Sequence, residues 1–65
     1  MTEAIDPMKI EEVKKRTLLS KTTIYRMMDK GRFPKQIRIS DNTVVWNRFE
    51  VERWFSERAA AREVR

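Results

Sequence analysis

The sequence predicts a small α+β domain, and three observations carry that prediction. Two short amphipathic stretches, separated by only Thr17, Leu18 and Leu19, open the chain. The apolar spacing then changes from helical to alternating over 36–46. A third helical stretch follows, with Val51, Trp54, Phe55 and Arg58 at i, i+3, i+4 and i+7. The change of period separates helix from strand, because side chains repeat every 3.6 residues in one and every two in the other.

Each element has local signals. Ile10 and Val13 are spaced i, i+3, with Glu11 and Glu12 before Lys14 and Lys15. Acids early and bases late complement the helix dipole, so a first helix is expected at about 9–16. Upstream, Asp6-Pro7 is either a helix start, with Asp as cap and Pro at the first helical position, or a frayed lead-in. Ser20 is an N-cap candidate, Ile24, Met27 and Met28 supply an apolar stripe, and Gly31 is a C′ glycine, which predicts a second helix over 21–29. Gln36 to Ser40 alternates polar and apolar, Asp41-Asn42 is a turn pair, and 43–46 is β-branched and aromatic. Together 36–46 read as a β-hairpin that must lie against the helices to be stable. Asn47, with Glu50 three positions on, resembles a capping box and starts the third helix near 48. The expected core is Val13, Leu19, Ile24, Met28, Phe33, Ile37, Ile39, Val44, Trp46, Val51, Trp54 and Phe55. Helix, turn, helix, hairpin wing and helix make a small winged helix-turn-helix. It is expected over 9–58, with a lead-in at 1–8 and a helical extension at 59–65.

Composition narrows the function. At 65 residues the chain is one small domain with limited core, and 40% hydrophobic residues are enough to fold it. It has no Cys and no His, which excludes disulfides and the common zinc sites. No acidic cluster has metal-ligand spacing, so neither metal nor cofactor is expected. There is no His, no Cys, no Gly-rich loop and no acidic pair in a pocket, and a domain this small would struggle to enclose one, so no enzyme is expected. No apolar run approaches the ~20 residues of a membrane span, and MTEAIDPMKI is not a signal peptide. A soluble, unexported protein with no membrane or small-molecule partner is expected.

The charge distribution points to a polyanion. Net charge is +5 overall, but it divides into −3 over 1–12, +8 over 13–40 and 0 over 41–65. A block of +8 across the two helices and the first strand is the electrostatic footprint of nucleic-acid binding. In a helix-turn-helix the second helix enters the major groove, N-terminal residues toward the bases. Ser20, Lys21, Thr22, Thr23 and Arg26 fall on its first turns, away from the Ile24 and Met28 stripe. Ser20 also caps the helix. Short Ser and Thr side chains allow close approach, and Arg26 reaches a guanine or a phosphate. Tyr25 reads both as a core lid and as a phosphate donor. Arg32 and Lys35 flank the core residue Phe33 and are backbone candidates, with Lys14 and Lys15. Arg38 on the wing, and Asn42 at its tip, are candidates for backbone or minor-groove contact. Trp46 and Trp54 lie on inward stripes and read as core, not as stacking platforms.

Leu19-Ser20-Lys21-Thr22-Thr23-Ile24-Tyr25-Arg26, then Gly31-Arg32-Phe33-Pro34-Lys35, then Val45-Trp46 and Val51-Glu52-Arg53-Trp54-Phe55 resemble the AlpA family of small phage and prophage regulators, related to phage excisionases and MerR-like winged-helix domains. The resemblance covers about 9–56. It implies a winged helix that binds double-stranded DNA in the cytoplasm of a bacterial or phage-infected cell. Such a protein regulates mobile-element genes or acts as an excisionase, a recombination directionality factor. It implies recognition-helix roles for Ser20, Lys21, Thr22, Thr23, Tyr25 and Arg26, and a wing at 36–46. The implied partners beyond DNA are a recombinase (integrase) or further copies of the chain on adjacent sites. The family usually has Gly where this chain has Leu18. Either Leu18 takes the left-handed conformation, at a cost of about 1–2 kcal/mol, or the turn differs. The alternative function is a protein-interaction module, an anti-repressor or integrase adaptor, docking through the C-terminal helix. RNA binding is a third option, disfavoured because no exposed aromatic sheet is expected.

Overall fold

A computed structural model describes residues 4–62. In chain order the elements are β1 (Pro7–Met8), α1 (Ile10–Thr17), α2 (Lys21–Asp29), β2 (Ile37–Ser40), β3 (Thr43–Asn47) and α3 (Arg48–Ala61). The expected helix, turn, helix, hairpin and helix order of a winged helix-turn-helix is present. The last three residues of the expected extension lie outside the described residues, as do the first three of the lead-in.

The short helices are fixed by their ends. In α1, Val13 and Thr17 face inward. The buried Thr17 hydroxyl donates to the Val13 carbonyl at 2.8 Å and accepts from the Leu19 N–H at 3.3 Å, so its burial leaves no orphaned polar group. Helix α2 starts at Ser20, whose Oγ accepts from the Thr23 N–H at 3.1 Å. It ends where Gly31 takes φ 69°. The Gly31 N–H bonds the Met28 carbonyl at 3.0 Å and the Arg32 N–H bonds the Met27 carbonyl at 2.8 Å. That double closure is a Schellman motif. A Cβ at Gly31 would meet nothing within 4 Å, so the backbone angle alone demands glycine there.

Asp6-Pro7 leads into a strand over Pro7–Met8, not into a helix start or a frayed lead-in. Pro7 and Met8 pair antiparallel with Asn47 and Trp46, giving the sheet order β1-β3-β2. Pro7 is tolerated because β1 is an edge strand. Met8 is fully buried opposite Trp46 and belongs to the core, which the sequence reading missed. Asp6 bonds onward instead of capping: its carbonyl accepts from the Arg48 N–H at 2.7 Å, and its carboxylate from Arg48 Nε at 2.9 Å. Arg48 also donates to Glu12. The hydrogen bonds it donates, to Glu12 first and then to Asp6, push the Arg48 guanidinium pKa further up.

The hairpin is irregular. Ile37 faces Val45 and Arg38 faces Val44, but Ser40 faces Thr43, so the register shifts between Arg38 and Ser40. The extra residue, Ile39, is left without a cross-strand partner, as at a β-bulge. Ile39 is therefore 62% exposed, which corrects its place in the expected core. Val45, outside that core by strict alternation, is buried on the central strand. The core proper is Met8, Val13, Ile24, Met28, Phe33, Trp46 and Val51, with Leu19, Val44 and Trp54 packed at its edge.

Helix α3 buries Val51 but leaves Trp54 and Phe55 only half-buried, so the two expected anchors are edge residues. Trp54 Nε1 donates to the Arg32 carbonyl at 2.8 Å, and its ring meets Phe33 edge-on at 4.8 Å. Arg16 lies 4.6 Å over the Phe55 ring and forks onto Glu52, with both hydrogen bonds at 2.6 Å. The Arg16 hydrogen bonds hold the Glu52 carboxyl pKa below its ordinary value.

Asn47 joins these parts. It is buried, and its Oδ1 accepts from the Phe49 N–H and from the Asp6 N–H, each at 3.2 Å. Its Nδ2 donates to the Ala4 carbonyl at 3.3 Å. The cap thus bonds Phe49, and the expected partnership with Glu50 is absent among the described residues. Asn47→Ala removes a cap worth about 1 kcal/mol and two further hydrogen bonds at about 0.5–1.5 kcal/mol each. A loss of roughly 2–4 kcal/mol is expected in urea unfolding followed by circular dichroism. Asn47→Asp, which keeps the acceptor but loses the donor, should fall between the two; equal stability of all three chains would contradict the clamp.

Candidate nucleic-acid interface

The N-terminal half of α2 has one buried stripe and one open face. Ile24 and Met28 are buried, while Ser20, Lys21, Thr22 and Arg26 are exposed. Thr22 and Arg26 are i, i+4 and therefore neighbours on that open face. Thr23 is half-buried, and its Oγ1 accepts from the Ser20 hydroxyl at 2.9 Å. Thr23 is thus drawn into the cap, leaving Thr22 as the outward threonine. With the Thr23 N–H taken by the cap, the N–H groups of Lys21 and Thr22, which have no partner within the helix, lie at the same end.

Tyr25 sits at the flank. Its ring meets Trp46 edge-on at 6.1 Å, and its hydroxyl donates to Gln36 Oε1 at 3.1 Å. The lid half of its dual reading is present in the structure. Gln36, which the sequence reading did not single out, holds the hydroxyl in place and links α2 to the entrance of the wing. Arg38 is exposed on β2, and Asn42 is exposed beside Asp41 in the turn between β2 and β3.

The basic block is sorted by its ion pairs. Arg16 is committed to Glu52 and Lys14 lies 3.7 Å from Glu11. Lys15, Lys21, Arg26, Lys30, Arg32, Lys35 and Arg38 form no ion pair among the described residues. Arg32 and Lys35 are exposed in the loop that follows α2. They line an open groove of about 950 Å³ between the 31–37 loop and α3, shared with Arg53 and Arg58. The sequence reading did not count the two α3 arginines among the anion-contact candidates, because they sit in a segment of zero net charge. Among the described residues no group of His, Cys, Asp and Glu could hold a metal ion. No described helix is long and apolar enough to cross a membrane.

The aim of α2 is set at Leu18. It adopts φ 62°, ψ 22°, the left-handed conformation, and its N–H bonds the Lys14 carbonyl at 2.8 Å. Leu18 therefore accepts the strain, and the helix-turn-helix keeps the turn that glycine would favour. The side chain is 87% exposed and recovers nothing by packing.

A capped second helix with an open polar face, a strained turn before it and a β-hairpin after it define a small winged helix-turn-helix. The family model described as prophage CP4-57 regulatory protein (AlpA) matches residues 7–59, and the chain belongs to that family. An uncharacterized protein of Enterobacteria phage P4, ORF88, is 36% identical over 56 residues. The match covers 86% of this chain and 64% of that relative's length.

Leu18→Gly relieves about 1–2 kcal/mol of left-handed strain and loses about 0.4–1 kcal/mol through the freer unfolded chain. A net gain of about 0–1.6 kcal/mol is expected from these two terms, raising Tm by up to several degrees, since 1 kcal/mol is roughly 4–8 °C in a domain this small. A lowered Tm would contradict the strain.

Proposed function

We propose that the chain is a sequence-specific double-stranded DNA-binding protein that regulates phage or mobile-element genes. The observation that carries this reading is the exposed pair Thr22 and Arg26 on the first turns of a Ser20-capped α2, beside cations with no internal acidic partner. In this reading α2 enters the major groove. Ser20 and Lys21 engage phosphate at the helix N-terminus, and the Thr22 methyl meets a base edge. Arg26 reads guanine N7 and O6, the commonest specific contact. Thr23 fixes the cap, Tyr25 sets the flank, and Lys15, Arg32, Lys35 and Arg38 hold the backbone. Asn42 lies at the wing tip. The role is binding, not catalysis.

One module of this kind buries roughly 600–1,000 Å² of protein surface on DNA. Tight binding then calls for further copies on adjacent sites or for a recombinase partner. With a recombinase the same binding serves excision, as a directionality factor. A second reading, docking of a partner protein on α3, is favoured by one observation: residues 56–61 are helical yet exposed.

The test is duplex affinity against salt. Phosphate contacts release counterions, so log K should fall with log salt at about −0.9 per contact. Arg26→Ala should relax preference at one base pair by about 1–3 kcal/mol, and Lys35→Ala should weaken all duplexes alike. A flat salt response would refute the reading, and partner capture that survives high salt would support docking on α3.

A further inference from the structure

The groove between the 31–37 loop and α3 is not absorbed by the recognition helix. Four exposed cations line it: Arg32 and Lys35 from the loop, Arg53 and Arg58 from α3. None of them forms an ion pair among the described residues. Its α3 wall is braced. The Arg58 guanidinium lies 5.2 Å over the Trp54 ring, and Trp54 is pinned by its bond to the Arg32 carbonyl. A cation held over an aromatic face loses less freedom when it meets an anion. The groove is open to solvent, whereas small-molecule sites bury most of their ligand. An open basic trough suits an extended anionic chain.

Its position selects which chain. The rim runs from Gly31, which ends α2, to Ile37, which begins β2. It therefore joins the two elements assigned above to duplex DNA, and the inference rests on that assignment. We propose that this groove is a second backbone site, in which the phosphodiester strand of the same duplex lies between the loop cations and Arg53 and Arg58 of α3. Two carboxylates, Glu50 and Glu57, also line it and oppose the anion. They limit its strength and supply a lever in the opposite direction.

The experiment is the salt dependence of duplex binding by the full chain, measured by fluorescence anisotropy. Removing two phosphate contacts in Arg53→Ala/Arg58→Ala should reduce the slope by about 1.8, at about 0.9 per contact. The order of preference among duplexes should not change, because backbone contacts carry no sequence information. Arg53→Lys/Arg58→Lys should keep the wild-type slope. Glu50→Gln/Glu57→Gln, which needs no cation removed, should tighten binding several-fold at low salt. An unchanged slope in the double alanine variant, or no tightening in the glutamine variant, would overturn the groove site. A wild-type chain whose own binding ignores salt would fail the duplex reading itself, and the groove with it.

Discussion

The core that supports α2 depends on how β3 ends. Trp46 is fully buried at the middle of the core, and the next residue, Asn47, closes the strand. One face of Trp46 meets the edge of Tyr25 on α2, and its strand partner is Met8 on β1. Its indole N–H has no acceptor among the described residues, a cost of about 1–3 kcal/mol that burial of so large a ring must offset. Asn47 then turns the chain into α3 and ties the N-terminal segment to that junction. Two adjacent residues of β3 thus tie β1, α2 and α3 to one point. In a domain of this size, total stability is only about 0.05–0.15 kcal/mol per residue, so this junction is a large share of the whole.

The open face of α2 is built on top of that support by opposing choices. Thr17 and Ser20 make the turn hydrogen-bonded at both sides, while Leu18 between them holds a backbone conformation that glycine would hold more cheaply. The strain persists because the surrounding bonds over-determine the turn. The charge pattern follows the same division. Arg16 and Arg48 face acids and brace α1 against α3 and the N-terminal strand, so the most strongly paired cations are structural. The cations left without ion-pair partners among the described residues spread over α1, α2, the loop, β2 and α3.

Much of this was legible in the sequence, for local reasons. Helix α2 has a Ser cap, a clean apolar stripe and a C′ glycine, and its bounds match the expected 21–29. The hairpin and the start of α3 were legible for similar reasons. What was not legible is non-local. Strand β1 is two residues long and exists only because Met8 finds Trp46, some 38 positions away. The bulge that expels Ile39 depends on register, which alternation does not reveal. Trp54 and Phe55 have helical spacing, but the core is too small to take them. In the candidate site, the exposure of Thr22 and Arg26 followed from helical phase. The withdrawal of Thr23 into the cap and the convergence of Arg53 and Arg58 on the loop did not, because each needs a neighbour's position.

The central claim is that the open face of α2 reads the major groove. It is tested most directly by a base-analogue scan of a bound duplex, with 7-deazaguanine for guanine or deoxyuridine for thymine at one position at a time. These analogues alter only the major-groove edge, removing guanine N7 or the thymine methyl. The account predicts losses of roughly fivefold or more, confined to a few adjacent base pairs. Equal binding of every analogue would contradict it.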